Sequence, residues 1–146
     1  MELSLDYPTS FHETPISADL STAGYVFRAE EENPPALISM RRQLREGMLK
    51  AKVGTLKDNL IEEINRRYPD RFPEYKKEKF DEIIVTNEKS LLFEFTYLGA
   101  DNKTRMKQRL IVIPRVEDAF LVSFQSKESD FNGLIPIWDK IQKSFH

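Results

Sequence analysis

A chain of 146 residues with 24 acidic and 22 basic side chains, 40% hydrophobic residues and no cysteine has the size and composition of one folded domain around a single core. Its formal charge of -2 excludes a global field that would draw in nucleic acid or an anionic membrane, so any electrostatic function is local. The absence of cysteine excludes disulfides, thiolate metal sites and cysteine nucleophiles, and no apolar run approaches the roughly 20 residues that span a bilayer.

In chain order, Leu3-Ser4-Leu5-Asp6-Tyr7 alternates apolar and polar residues, which predicts a half-buried strand stopped by Pro8. Residues 1 to 7 lack the basic start and apolar stretch of a signal peptide, and a strand this close to Met1 leads us to expect a leader or tether upstream. A loop is expected through Gly24. Tyr25 to Ala29 reads as a strand and Glu30 to Pro35 as a solvated turn. A second strand follows, with Ala36, Ile38, Met40 and Leu44 on one face and Ser39, Arg41, Gln43 and Arg45 on the other, completing a hairpin.

Thr55 is the expected N-cap of a helix whose stripe is Leu56, Leu60, Ile61, Ile64 and Tyr68, ending before Pro69. Four strand-like runs at 75 to 87, 91 to 98, 103 to 113 and 120 to 125 predict a consecutive antiparallel meander. Phe131, Leu134, Ile135, Trp138, Ile141 and Phe145 form a last helical stripe, with Ser129 or Asp130 as its expected N-cap. This order predicts an α+β fold, an antiparallel sheet of about six or seven strands flanked by helices, formed by residues 1–146 as one domain.

The termini add a further signal. Tyr7-Pro8 followed by Phe11 resembles the Tyr-Pro-x-x-Trp opening of PsbP-like domains, and Ile141-Gln142-Lys143-Ser144-Phe145 resembles their Ile-x-x-Ser-Phe end. The resemblance implies an α-β-α sandwich around an antiparallel sheet. That fold is shared by the extrinsic photosystem II protein, the Ran guanine-nucleotide release factor and many bacterial extracytoplasmic lipoproteins. It also implies action by partner binding, outside the cytoplasm and on a lipid tether. Two departures stand out: Phe11 lies near where the family has Trp, and the strand before Tyr-Pro is short. None of the photosystem protein's metal or docking residues match here, and no cofactor is expected.

The sharpest chemical feature is Lys103, Arg105, Lys107 and Arg109, cations at alternate positions that a strand places on one face. With Arg41 and Arg45 from adjacent strands they are candidates for binding an anionic ligand or an acidic protein. The same row reads as an ordinary charged face neutralised by Glu88, Glu94 or Asp101. Nucleic acid is disfavoured by the acidic balance and the lack of a base-stacking motif.

His12 with Glu13 and Asp19 lacks the spacing of a zinc or two-histidine site, so no metal is expected. Glu62 and Glu63 diverge by about 100° on a helix and do not pair for acid–base work. There is no Gly-x-Ser-x-Gly elbow, and the isolated glycines make no phosphate loop. Phe93, Phe95 and Tyr97, with Trp138, read either as core or as the lining of a cavity between sheet and helix. Arg71-Phe72-Pro73-Glu74-Tyr75 is a candidate partner surface. The function expected is a non-enzymatic domain that binds an unidentified protein partner outside the cytoplasm. The rivals are a cytoplasmic binder of anions through the basic row and a hydrolase whose residues meet only in three dimensions.

Overall fold

The computed structural model describes residues 3–44, 56–115 and 118–146. Its elements are β1 (His12–Glu13), α1 (Ala18–Thr22), β2 (Tyr25–Glu32), β3 (Pro35–Leu44), α2 (Leu56–Arg71), β4 (Lys76–Val85), β5 (Glu88–Leu98), β6 (Arg105–Pro114), β7 (Asp118–Lys127) and α3 (Glu128–Lys143). The strands form one seven-stranded sheet in the order β1-β2-β3-β7-β6-β5-β4, every neighbour antiparallel. The expected α+β meander is therefore present, and β3 returns to pair with its last strand.

Turn chemistry explains the meander. Thr86 and Asn87, between β4 and β5, both have positive φ (50° and 66°), the arrangement of a two-residue hairpin whose twist matches its strands. Between β5 and β6 the Asp101 carboxylate accepts hydrogen bonds from the Lys103 and Thr104 amides (2.9 and 2.8 Å) and from the Thr104 hydroxyl (2.5 Å). The Thr104 hydroxyl bond, with those amide bonds, holds the Asp101 carboxyl down at about 2. Lys103 thus belongs to a turn and lies outside β6.

Alternation divides the strands between two cores. On one face Ile38, Ile111, Val122 and Phe124 pack beneath α3 through Phe131, Trp138 and Ile141. On the other, Phe93, Phe95, Leu110 and Leu121 cluster with Ile64 of α2. From Ser90 to Tyr97 every residue of β5 is buried, as expected of a strand covered on both sides.

Several boundaries differ from expectation. Residues 3 to 8 are not a strand of the sheet; Ser4 instead exchanges backbone hydrogen bonds with His146 (2.7 and 3.0 Å). The expected loop before Gly24 contains β1 and α1, the latter capped by the Ser17 hydroxyl, which accepts from the Leu20 amide at 3.3 Å. The strand expected to end at Ala29 runs on to Glu32 because Glu30, Glu31 and Glu32 pair with β3.

The second helix passes through Pro69 to Arg71. Proline removes only its own N–H donor there, and Tyr68 and Phe72 pack the last turn onto Phe95 at 5.4 and 5.2 Å. The final helix begins at Glu128, with Lys127 as N-cap and no side-chain cap bond. Ser129 and Asp130 consequently lie inside its first turn, where Glu128 and Asp130 suit the helix dipole. Thr55, Arg45 and the side chains of Leu44, Leu56 and Leu60 lie outside the described residues.

The two terminal motifs meet. The Ser144 hydroxyl accepts from the Asp6 amide at 2.7 Å and donates to the Ile141 carbonyl at 2.6 Å. Phe11, 3% exposed, sits 6.1 Å from Trp138, and Phe145 lies 6.5 Å from Phe124. The motifs are two halves of one closure.

Gly24 is required by its backbone. Its φ is +94°, its carbonyl accepts from the Arg42 amide at 2.9 Å, and a Cβ there would lie 2.5 Å from the Arg42 carbonyl oxygen. Gly24→Ala is expected to destabilise by about 1–3 kcal/mol, measured by urea unfolding; an unchanged midpoint would contradict this account.

Candidate functional site

Register decides where the basic row goes. Arg105, Lys107 and Arg109 share the face that carries Ile111, beneath α3, and each has partners there. Arg105 donates to the Thr96 hydroxyl (2.7 Å) and the Glu74 carbonyl (3.1 Å). Lys107 pairs with Glu78 at 2.9 Å and lies over the Phe131 ring at 4.9 Å. Arg109, 5% exposed, bonds Glu94 and Asp139, both at 2.8 Å, and Gln142 at 3.3 Å. Lys107 and Arg109 hold α3 to the sheet, whereas Arg105 ties β6 to β5 and to the turn at Glu74. The five of these residues that are described do not form one surface, because Lys103 is in the turn and Arg41 is on the opposite face of the sheet; Arg45 lies outside the described residues.

The aromatic expectation also divides. Phe93, Phe95 and Tyr97 face α2, whereas Trp138 lies beneath α3 on the other side of the sheet, so they line no common cavity. Phe72 and Tyr75 turn inward onto Phe95 at 5.2 and 5.5 Å, which leaves Arg71, Pro73 and Glu74 as the exposed part of that turn.

The histidines stand apart. His12 is exposed on β1, and the His146 ring lies 2.8 Å from the Ser144 carbonyl. Glu63 is tied to Arg66 (2.7 Å) and to Arg67. Among the described residues no three histidine or carboxylate side chains form a metal-holding group, and no helix is long and apolar enough to cross a membrane.

The site the structure does assemble is a cleft on the α2 side, where the helix leaves part of the sheet uncovered. It comprises two adjoining cavities of about 220 and 660 Å³ that share Arg41, Tyr68, Arg71, Leu110 and Leu121. The sheet supplies a polar floor to the smaller cavity. Ser39 faces Ser123 across β3 and β7, and Gln125 faces Gln108 across β7 and β6. Tyr25, Arg28 and Arg41 come from the β2–β3 hairpin, and Tyr68, Arg71 and Phe72 from the end of α2.

Electrostatically the smaller cavity is one-sided: among the described residues its lining holds three arginines and no carboxylate. The Arg41 guanidinium lies 6.0 Å from the centre of the Tyr25 ring and that of Arg71 5.5 Å from the Phe72 ring. Burial raises the Tyr68 hydroxyl above the ordinary tyrosine value, against the opposing pull of Arg71 and Arg41, so at neutral pH it is a protonated donor. Burial likewise raises Tyr75, and pushes Tyr97 up to about 12. Of the described residues singled out from the sequence as anion binders, Arg41 alone lines this cleft.

A seven-stranded antiparallel sheet flanked by helices makes this an α+β protein. More specifically, the chain has the PsbP-like fold. Its structure is similar to the PsbP protein CyanoP of Synechocystis sp. PCC 6803, with TM-score 0.65 and 10% identity over 99% of this chain and 85% of that one. It is similar to LpqN of Mycobacterium tuberculosis, a protein involved in cell envelope biogenesis, with TM-score 0.63 and 12% identity over 98% of this chain and 81% of that one. A Pseudomonas aeruginosa protein of unknown function gives TM-score 0.62 and 13% identity, over 99% and 83%. No family model and no curated protein matches the sequence.

Proposed function

We propose that this chain is a non-enzymatic binding domain that acts outside the cytoplasm, on a membrane tether, and engages its partner through the cleft beside α2. One observation carries the reading. Most arginines of the fold are paired with carboxylates, as Arg42 is with Asp118 at 2.5 Å, yet Arg41 and Arg71 make no hydrogen bond or ion pair among the described residues. They also sit where the sheet is left uncovered. Cations without a carboxylate partner among the described residues, set over a polar floor, are suited to recognition, and neither histidine lines the cleft to act as base to Ser39 or Ser123. The extracytoplasmic location draws support from the fold shared with LpqN, a protein involved in cell envelope biogenesis.

Two measurements test this. Fractionation of host cells, with mass spectrometry of the mature N-terminus, is expected to find a lipid-modified or membrane-associated form; a soluble cytoplasmic protein beginning at Met1 would overturn the location. A photo-crosslinking residue at Asp70, on the cleft's rim, is expected to capture a cellular partner that the same residue at Lys140 on α3 does not. Equal yields at both positions would remove the cleft from the reading.

A further inference from the structure

The two cavities of the cleft differ in chemistry. The smaller is floored by Ser39, Ser123, Gln108 and Gln125, whereas the larger extends over Ile64, Val112 and Leu121, with the charged Glu63, Arg67 and Asp70 also in its lining. We infer that the cleft binds a small organic oxyanion, with its charged head on Arg28, Arg41 and Arg71 in the smaller cavity and its apolar body in the larger. This rests on the cleft being the binding site proposed above.

Charge supplies the first argument. Arg28 has only Glu30 nearby, at 3.6 Å and itself 44% exposed, and Arg41 and Arg71 have no carboxylate partner among the described residues. An anion entering the smaller cavity meets Arg41 and Arg71 without displacing an ion pair among the described residues, and competes at Arg28 only with the half-exposed Glu30.

Orientation supplies the second. A guanidinium stacked over an aromatic ring keeps its planar N–H edge available for a bidentate contact with phosphate or carboxylate. Arg41 lies over the Tyr25 ring at 6.0 Å and Arg71 over the Phe72 ring at 5.5 Å, within cation–π reach, so among the described residues an aromatic ring rather than a carboxylate neighbours each guanidinium.

The third argument is the floor. Among the described residues the side chains of Ser39, Ser123, Gln108 and Gln125 make no hydrogen bond to protein, which leaves their donors for a ligand's oxygens. Tyr68, kept protonated by burial, adds another donor. At about 30 Å³ per water, the 220 Å³ of the smaller cavity takes an oxyanion head and its first few atoms.

The test is titration of the isotope-labelled protein with phenyl phosphate, benzoate, inorganic phosphate and benzyl alcohol, followed by amide chemical shifts. At least one aromatic anion is expected to give saturable shifts at Ser39, Arg41, Arg71, Ser123 and Gln125, and the tighter of the two identifies the head as phosphate or carboxylate. Inorganic phosphate should perturb the same amides more weakly, and affinity should fall as salt rises. Arg41→Gln and Arg71→Gln should each weaken binding about tenfold or more, while Lys140→Gln on α3 leaves it unchanged. Trp138, buried on the other face, reports the folding of each variant by fluorescence. Should a variant fail to fold, the salt dependence of the parent protein decides the matter.

Benzyl alcohol binding as tightly as the anions would overturn the oxyanion inference and leave the cleft standing as a site. Saturable shifts on another surface, or none with any probe, would overturn the inference as well. The crosslinking yields then decide separately whether the cleft engages a partner.

Discussion

Replacing Trp138 by alanine is expected to lower the unfolding free energy by about 3–5 kcal/mol, read as a reduced denaturation midpoint at unchanged slope. Trp138 is fully buried. Its ring stacks on Phe124 at 5.2 Å and 6°, and lies 6.2 Å from Phe131 and 6.1 Å from Phe11. Truncation would therefore empty a cavity at the point where α3, the sheet and the N-terminal segment meet. Rigid aromatic neighbours relax poorly into such a space. Trp138→Phe should lose much less, because the buried indole N–H has no acceptor among the described residues and its removal breaks no hydrogen bond. A loss below about 1 kcal/mol for Trp138→Ala would show that the ring is not core.

Arg109→Met is expected to cost about as much, roughly 3–5 kcal/mol, for a different reason. Arg109 and Glu94 are 5% and 7% exposed, and removing the guanidinium leaves a carboxylate buried with only Lys107 near it, at 3.9 Å. The desolvation of Glu94, more than the lost attraction, dominates the penalty. The double variant Arg109→Met with Glu94→Leu should recover most of the loss, since both charges are then gone. If the double variant is as unstable as Arg109→Met alone, the buried carboxylate is not the cause. Either result bears on the basic row, of which Lys107 and Arg109 act here as a clamp for α3.

The meander was legible because β5 and β6 are rich in β-branched and aromatic residues and Asn87 and Asp101 mark their turns. The last helix was legible from Phe131, Leu134, Trp138 and Ile141. Pro69 misled because a proline near a helix end costs one donor, and the aromatic packing of Tyr68 and Phe72 outweighs it. β1 and α1 are too short for a periodic signal. The basic row shows a deeper limit, since spacing places Arg105, Lys107 and Arg109 on one face but does not show what covers that face.

The cleft was hidden in another way. Its residues come from β2, β3, α2, β6 and β7, far apart in the chain. Only the strand register puts Ser39 opposite Ser123 and Gln108 opposite Gln125. The available signal was a set of polar residues at inward positions on neighbouring strands, and reading it required the strand order.

The pairing of Ser4 with His146 has a practical consequence. Leu3, Leu5 and Tyr7 pack into the α3-side core, so both ends of the described chain leave from one corner of that layer. A fusion at either end would thus emerge away from the cleft, and a peptide linking the ends would need to bridge almost no distance. Circular permutants with new ends in the exposed turn at Gly99 to Asn102 would preserve the closure made by Ser144 and Asp6 while relocating any attached tag to the opposite end of β5.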